Sequence, residues 1–316
     1  MGRRSPVVLP ERRSLSNPCW TVKPAWLPAG SAEVPSDSVK ITARCCAGRP
    51  GAAVAALSAA ATCALVLCVS GCAGPAGMAA AALRPSGPGY TLMQINLCLS
   101  GLAGCYAKVH YPEGVQAAVA EIRQARPDAV TFNEACGGDA ATIARQTGYH
   151  LRFSSIIYYG KRLPCIKPRG RGLFGDAVLT RAAIVSSHSH PFPAQVGPEQ
   201  RKWLCATTHV GVEVCTAHLA SDDPVEAAAN APQCAQLRTL LARQRGARAV
   251  IFGGDVNRLS SCAPRGFWTR TDASGHQDPG IQQVYGAGAL RGPTARVKPA
   301  AHTDHDVLLV HADLAH

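Results

Sequence analysis

Apolar and polar positions follow one another from Tyr90 onward in a pattern that predicts strands and helices in turn. Apolar runs of about four to eight residues predict buried strands, and longer stretches with apolar residues three or four positions apart predict helices. The predicted strands are Tyr90–Leu97, Ala129–Phe132, Ala177–Leu179, Ala183–Val185, Glu213–Ala217, Ala249–Phe252 and Val307–Val310, and the predicted helices are 114–126, 139–147 and 227–245.

Residues 90–316 contain no internal repeat and no second change of composition, so they are predicted to form one α/β domain. Residues 73–89, which end in Pro85-Ser86-Gly87-Pro88-Gly89, are typical of a linker. Hydrophobic residues at 47% and charged residues at 16% exclude a mostly disordered chain. The formal net charge of +12 favours an anionic partner such as nucleic acid, a phosphate ester or an acidic lipid headgroup. The alternative is that an Ala-, Gly- and Arg-rich composition reflects only genome base content.

An uncharged apolar segment, Gly51–Val69, resembles the core of an export signal. Arg44 and Arg49 precede it, and the Val-Ser-Gly-Cys sequence that ends at Cys72 resembles a bacterial lipobox. In signals of that kind the cysteine is lipidated and becomes the new N-terminus. The alternatives are ordinary cleavage or a permanent membrane anchor, since these 19 residues are close to the roughly 20 that span a bilayer.

The sequence therefore predicts a signal segment at residues 51–72 and an exported protein, held on the outer face of the membrane or secreted. Residues 1–50 are predicted to be a disordered leader or the result of a start site assigned too early.

The cysteine content supports export, because 14 cysteines are many for a reduced cytosolic enzyme. Eight of them follow Cys72, and this even number is compatible with up to four disulfides. Residues 73–316 contain no C-x-x-C pair, which makes a zinc site the weaker alternative. We expect sequential pairing, best supported for the two cysteines that flank a turn near Gly211. The eight are Cys98, Cys105, Cys136, Cys165, Cys205, Cys215, Cys234 and Cys262.

Polar residues stand at the ends of several predicted strands. A hydrophobic strand that ends in an acid or an amide places that group at the rim of a rigid sheet. Carboxylate and amide oxygens are the ligands that suit magnesium, calcium or manganese. Each position alone also has a structural interpretation, such as a turn, so the set matters more than its members. The residues are Asn96, Glu134, Asp255, Asn257, Asp304 and His305.

Six motifs that span most of the predicted domain resemble the endonuclease/exonuclease/phosphatase superfamily, the DNase I and exonuclease III relatives. They are QIN (94–96), PDAVTFNE (127–134), FGDAVLTR (174–181), CTAHL (215–219), GGDVN (253–257) and TDHD (303–306). The resemblance, to an exported member of actinobacterial type, implies a four-layered α/β/β/α sandwich of two mostly antiparallel sheets. It also implies an active site at one edge, where strand ends from both sheets meet.

The same resemblance implies a role for each matching residue. Glu134 is the expected principal metal ligand, with Asn96 beside it and Asp304 as a further carboxylate on the metal side. The expected ion is Mg²⁺ or Mn²⁺, and Ca²⁺ is also compatible. The expected chemistry is in-line attack of water on a phosphodiester or phosphomonoester.

Four further residues are expected to act on the water and the phosphate. Asp255 resembles the acid that orients or deprotonates the attacking water. Asn257 resembles the amide that holds the nucleophile and the phosphate. His218 resembles the histidine that donates to a non-bridging oxygen, and His305 resembles the histidine on the scissile phosphate.

The substrate-binding surface is less clearly marked. Arg171 and Arg181, close to other basic residues at 161–169, are expected to extend a positive surface toward the substrate, with a solvated basic loop as the alternative. Asp176 stands where the family most often has asparagine. Gln282 stands where the family has an acid that orients the second histidine, and Asp278 or Asp272 is a candidate replacement.

The resemblance predicts a phosphoester hydrolase but leaves its substrate open, because one fold serves many substrates. A nuclease-like activity is slightly favoured by the basic charge and the export signal. A membrane-proximal phosphodiesterase for lipid, inositol phosphate or sphingomyelin is the alternative, since a lipid anchor would hold the site near lipid. A non-catalytic, surface-anchored binding protein is a third possibility. No obligate protein partner is predicted.

Overall fold

The protein is described by a computed structural model that covers residues 89–102, 111–244 and 249–315. The predicted leader, signal segment, Cys72 and most of the linker lie outside the described residues, and so does Cys105. No helix within the described ranges is long and apolar enough to cross a membrane. The elements are β1 (Gly89–Asn96), α1 (Glu113–Ala125), β2 (Ala129–Cys136), α2 (Gly137–Thr147), β3 (His150–Ser155), β4 (Ile157–Tyr158), β5 (Lys161–Arg162), β6 (Phe174–Thr180), β7 (Ile184–Pro191), β8 (Glu199–Gln200), β9 (Lys202–Thr208), β10 (Val212–Ala217), α3 (Ala227–Arg243), β11 (Ala249–Asp255), β12 (Trp268–Thr271), β13 (Gln282–Gly288), β14 (Leu290–Lys298) and β15 (Val307–Leu314).

Two six-stranded sheets pack face to face. The first has the order β14-β15-β1-β2-β6-β3 and the second β12-β13-β11-β10-β9-β7. Apolar side chains from both sheets, among them Leu92, Val178, Val214 and Ile251, fill the interior between them. Helices α1 and α2 cover the outer face of the first sheet, and α3 covers the outer face of the second. These four layers are the predicted α/β/β/α sandwich.

Most neighbouring strands are antiparallel, but each sheet has a parallel pair at its centre. In the first sheet β1 runs parallel to β2, and in the second β10 runs parallel to β11. The carboxyl ends of parallel neighbours meet at the same edge of a sheet. The residues that follow these four strands are therefore collected at one rim of the sandwich.

The predicted strands and helices are all present in the described residues, and their ends move by a few positions. The sequence analysis missed several strands, among them β3, β12, β13 and β14. Strand β13 pairs with β11 in the second sheet, and β14 pairs with β15 in the first. Strand β14 is mostly exposed and includes Arg291, Arg296 and Lys298, so it has none of the apolar repetition that predicts a strand. Its pairing with β15, not its composition, holds it in place.

Three of the expected disulfides are described, and they follow the sequential pairing. They join Cys136 to Cys165, Cys205 to Cys215, and Cys234 to Cys262. Cys98 is disulfide-bonded as well. The bonds that close sequence separations of 29 and 28 residues each stabilise the fold by roughly 3–4 kcal/mol in the chain-entropy description.

Candidate active site

Glu134 reaches the rim of the first sheet through an irregularity in β2. The pairing of β2 with β6 shifts register between Phe132 and Ala135, and Glu134 adopts a left-handed backbone conformation with φ of 53°. A non-glycine residue rarely adopts this conformation, and a bulge of this kind re-aims a side chain out of the regular alternation. The local backbone thus turns Glu134 toward the site.

Asn96 links the two acids that the sequence analysis placed at the site. Its Nδ2 donates to Glu134 Oε1 at 2.9 Å and to Asp255 Oδ2 at 3.0 Å. Its Oδ1 accepts a hydrogen bond of 3.1 Å from the backbone of Cys98. As placed, Asn96 orients the two carboxylates with its amide hydrogens, and its oxygen faces away from them. Its expected role as a metal ligand remains a prediction.

Both predicted histidines approach the same oxygen of Asp255. Asp255 Oδ2 lies 3.7 Å from His218 Nε2 and 3.6 Å from His305 Nε2. His218 Nε2 is also 4.0 Å from Glu134 Oε1, and His305 Nε2 is 3.7 Å from Asp304 Oδ1. The structure therefore brings Asp255, Glu134, Asp304 and both histidines together.

Asn257 completes this group from the loop after β11. Its backbone N–H donates to Asp255 Oδ1 at 3.0 Å, and its side-chain amide lies 3.0 Å from His218 Nε2. Its left-handed backbone, with φ of 49°, allows both contacts. Asn257 therefore lies beside the acid and the histidine with which it is expected to act.

Arg201 is a site residue that the sequence analysis missed. Its Nη1 donates to His218 Nδ1 at 2.7 Å, and its guanidinium forms ion pairs of 2.9 Å with Glu226 and 3.0 Å with Glu199. A guanidinium only donates, so Nδ1 accepts and the proton of a neutral ring belongs on Nε2. The 3.0 Å contact of Nε2 with Asn257 Nδ2 then joins two donors and is not a hydrogen bond. Burial, followed by the charge of Arg201, lowers the pKa of His218 well below its usual value. No motif surrounds Arg201, so only the folded structure identifies it.

The acids at this rim lie in an environment that opposes negative charge. Burial raises the pKa of Glu134 to about 7, despite the hydrogen bond from Asn96.

The pKa of His305 is shifted in the opposite direction from that of His218. Burial alone would lower the pKa of His305, but the nearby carboxylates, Asp255 first among them, raise it above its usual value. The site thus combines a histidine whose charge is disfavoured with one whose charge is favoured.

The residues at the rim fit a divalent cation. Glu134 and Asp304 provide carboxylate oxygens, with Asp255 close by, and hard oxygen ligands are those that Mg²⁺ and Mn²⁺ prefer. The raised pKa of Glu134 is caused mainly by burial, which the charges of His305 and Arg201 only partly offset, and a bound cation would add positive charge there. Glu134 and Asp304 are therefore the residues that would hold it.

Gln282 does not take over the role of the acid that it replaces. Its Oε1 accepts from the backbone of Asn96 at 2.9 Å, and its Nε2 donates to Asp306 O at 2.6 Å and to Asp272 Oδ2 at 3.1 Å. Gln282 and Asp272 thus connect β13 to β1 and to the start of β15. Asp278 is the candidate that lies near His305, because ligand atoms of Asp278, Asp304 and His305 are all within 4.8 Å of one another.

Asp176 is buried behind the site, where it faces another amide. Its Oδ1 accepts from Asn133 Nδ2 at 2.9 Å, and Asn133 Oδ1 accepts from the backbone of Asp255 at 2.8 Å. Burial raises the pKa of Asp176 to about 7. Asp176 does not pair with Arg181, which pairs with Asp128 instead.

The two arginines expected to bind substrate both form ion pairs with acids of the fold, and their role in substrate binding stays a prediction. Arg171 is buried and forms an ion pair of 2.7 Å with Asp139, while its other nitrogens donate to backbone carbonyls, including that of Leu99. Arg181 pairs with Asp128 at the other end of β2 from Glu134. Sequence alone cannot distinguish an arginine that meets a substrate from one that meets a buried acid.

Fold and site together define a class of protein, the metal-dependent phosphoester hydrolases built as α/β/β/α sandwiches. Residues 103–315 match the endonuclease/exonuclease/phosphatase family, and the chain belongs to that family. No curated protein sequence matches the chain.

Solved structures share the fold at low sequence identity. An endonuclease/exonuclease/phosphatase from Beutenbergia cavernae is 20% identical, with 72% of each chain covered and a TM-score of 0.52. The human Nocturnin catalytic domain with bound sulfate is 13% identical, with 72% of this chain and 94% of that chain covered and a TM-score of 0.54. TDP2 from D. rerio, complexed with single strand DNA product, is 15% identical, with 71% and 98% covered and a TM-score of 0.50.

Proposed function

We propose that this protein is an exported nuclease that hydrolyses phosphodiester bonds of nucleic acid with Mg²⁺ or Mn²⁺. The observation that carries the proposal is the approach of two histidines, with opposite tendencies to carry charge, to one oxygen of Asp255 beside the mostly buried Glu134. A divalent cation, when bound, supplies positive charge to the phosphoryl oxygens and the leaving group.

The chain's own residues then divide the remaining work. Asp255, fixed by Asn96 and by the backbone of Asn257, orients the attacking water and accepts its proton. His218 donates from Nε2 to a non-bridging phosphate oxygen, because Arg201 occupies its Nδ1. His305 supports the phosphate charge as a cation, with its charge favoured by the surrounding carboxylates.

A small hairpin beside the site favours nucleic acid as the substrate. Strands β4 and β5 pair, and β4 also pairs with β8, which leads directly to Arg201. Tyr159 at the tip of the hairpin is 74% exposed, and Lys161 and Arg162 next to it are exposed as well. In proteins that bind single strands, an aromatic ring stacks on a base and neighbouring cationic side chains contact the backbone phosphates. The DNA product bound to the D. rerio TDP2 structure supports this choice.

The Tyr159→Ala variant tests this substrate assignment. We expect KM for a single-stranded oligonucleotide to rise about tenfold, because base stacking on an aromatic ring contributes roughly 1–3 kcal/mol. Hydrolysis of bis(p-nitrophenyl) phosphate, which has no base, should be unchanged. An equal loss on both substrates, or no loss on the oligonucleotide, would argue against the hairpin as a stacking surface.

A panel of substrates separates the proposed function from its alternatives. The wild-type protein is assayed on plasmid DNA, RNA, sphingomyelin and bis(p-nitrophenyl) phosphate, with Mg²⁺ or Mn²⁺ and with a chelator. We expect nucleic acid to be cleaved and the chelator to stop cleavage. Cleavage of sphingomyelin alone would favour the membrane-proximal phosphodiesterase, whose support is the predicted anchor. No turnover of any substrate would favour a binding protein.

The predicted lipid anchor at Cys72 supports export and is tested separately. We expect intact mass of the protein from the membrane fraction to show a lipidated chain that begins at Cys72. The Cys72→Ala variant should lose this mass. A mature chain that retains residues 1–50 would contradict the lipobox interpretation.

A further inference from the structure

Four metal-binding types of side chain share the outer face of the second sheet, on three adjacent strands. His188 on β7 stands opposite Cys205 on β9, and Cys205 stands opposite Cys215 on β10. Glu213 lies two residues before Cys215, and alternate residues of a strand point to the same face. All four donors therefore project to one side of a rigid three-strand platform.

These side chains also lie close together. The ligand atoms of His188, Cys205 and Glu213 are all within 4.8 Å of one another, and Cys215 is disulfide-bonded to Cys205. Donors around a tetrahedral zinc ion, each about 2.0–2.3 Å from it, are about 3.3–3.8 Å apart. Small side-chain rotations from the present positions would therefore be enough to enclose an ion.

One oxygen of the buried Glu213 carboxylate has no hydrogen-bond donor within the described part of the chain, which indicates room for a cation beside it. Glu213 is 3% exposed, and its Oε2 accepts from the hydroxyl of Thr207. Its Oε1 is shielded from solvent and has no hydrogen-bond partner among the described residues. A buried carboxylate oxygen without a donor is costly, and a cation is one way to satisfy it.

His188 is placed to serve as a ligand. The ring is partly buried edge-on against Trp203, with centroids 5.2 Å apart, and its Nε2 is 3.2 Å from Gln244 Nε2. Ligation of a metal through Nδ1 leaves the ring proton on Nε2, so Gln244 must turn its amide oxygen toward the ring to accept that proton.

We propose that reduction of the Cys205–Cys215 disulfide opens a Zn²⁺ site formed by Cys205, Cys215, His188 and Glu213. A dithiol supplies two electrons and two protons, so the S–S bond becomes two thiols while the dithiol becomes a disulfide. On binding Zn²⁺, each thiol releases its proton to solvent and ligates as a thiolate. The oxidised protein lacks the two sulfur ligands and does not form the site.

This site is separate from the active site, although both involve β10. Thr216, between Cys215 and the loop that holds His218, faces the interior and lies 3.3 Å from Asn133. Cys215 faces the opposite way, among the side chains covered by α3. None of the residues assigned to the active site is a cysteine, so a thiolate signal that depends on Cys205 and Cys215 distinguishes the two sites.

The test is a Co²⁺ titration of the full chain, with Co²⁺ as the spectroscopic probe for Zn²⁺. After reduction with a dithiol, we expect a sulfur-to-cobalt charge-transfer band. The Cys205→Ala/Cys215→Ala variant should bind one cobalt equivalent fewer than wild type, and its band should be weaker by that share. The matched control, Cys234→Ala/Cys262→Ala, removes another disulfide under α3 and should leave that equivalent in place. His188→Ala and Glu213→Gln should each weaken this binding at least about tenfold, and added Zn²⁺ should displace the cobalt.

Several results would overturn the proposal. An unchanged band in Cys205→Ala/Cys215→Ala, or an equal loss in the Cys234→Ala/Cys262→Ala control, would place the cobalt on other cysteines. Full affinity in both His188→Ala and Glu213→Gln would remove the mixed ligand set. Reduced protein that loses its near-ultraviolet circular dichroism, and does not regain it with Zn²⁺, would show that the sheet cannot form the site.

Discussion

Two acids near opposite ends of strand β2, Asp128 and Glu134, lie in opposite surroundings. Asp128, just before the strand, accepts a hydrogen bond of 2.8 Å from the backbone of Thr91 and forms an ion pair with Arg181, whose side chain is 52% exposed. Glu134, near the other end, is held by the amide of Asn96, and burial raises its pKa to about 7. The first acid is compensated by the fold, while the second is left for a ligand to compensate.

This difference shows where the fold gives up stability for function. A carboxylate that is buried without a cation favours its neutral form, so the metal-free protein is less stable when that group is ionised. The same rim also holds Asp176, a second buried carboxylate whose pKa is raised to about 7. The opposite end of the sheet contains the Asp128–Arg181 ion pair, which lies at the surface and contributes little to the free energy of unfolding.

The largest expected effect comes from the Glu134→Gln variant, which removes the charge and keeps the shape. We expect metal-dependent hydrolysis to fall by about a thousandfold or more, since the principal ligand is lost. The metal-free protein should be at least as stable as wild type at pH 8, because a buried charge has been replaced by a neutral amide. Activity and thermal unfolding are measured on the same preparation, and retention of full activity would remove Glu134 from the site.

The next largest effect is expected on stability, from Asp176→Asn. The folded-state pKa of Asp176 is raised from 3.8 to about 7, so the wild-type contribution of this group is fully present below pH 3.8 and is lost as the pH rises toward 7. The variant, which does not titrate, should therefore gain up to roughly 4 kcal/mol over wild type between pH 4 and pH 8. Urea unfolding at both pH values measures this gain, and a constant difference between the two proteins would contradict the assigned burial cost.

The smallest effect is expected at the compensated end. Asp128→Asn should reduce the free energy of unfolding by no more than about 1 kcal/mol, because an exposed ion pair is weak. Its activity should equal that of wild type, since Arg181 lies away from the active site. A large loss of activity in this variant would mean that the two ends of β2 are coupled and would undo the comparison.

The sequence predicted the parts of the site that follow from strand pattern. Asn96, Glu134 and Asp255 stand at or near the ends of apolar runs, and parallel pairing at the centre of each sheet brings such ends to one edge. The resemblance to a known family then gave these residues provisional roles. The four layers could be predicted in the same way, because the motifs span most of the domain.

The remaining features depend on contacts between residues that are distant in the chain. The bulge that re-aims Glu134 has no glycine or proline to mark it, and Arg201 becomes informative only when its guanidinium meets His218. The sequence predicted a substrate contact for Arg171, but only the fold shows its buried partner, Asp139. Charge and spacing predict which residues are available, but only packing decides which of them face the substrate.

The most direct test of the central claim is a crystal structure of the protein with Mn²⁺, read from anomalous diffraction. The account predicts a manganese peak at bonding distance from the Glu134 carboxylate, on the side that faces Asp304 and Asp255. A fully occupied peak elsewhere, or a rim without manganese at saturating concentration, would contradict it.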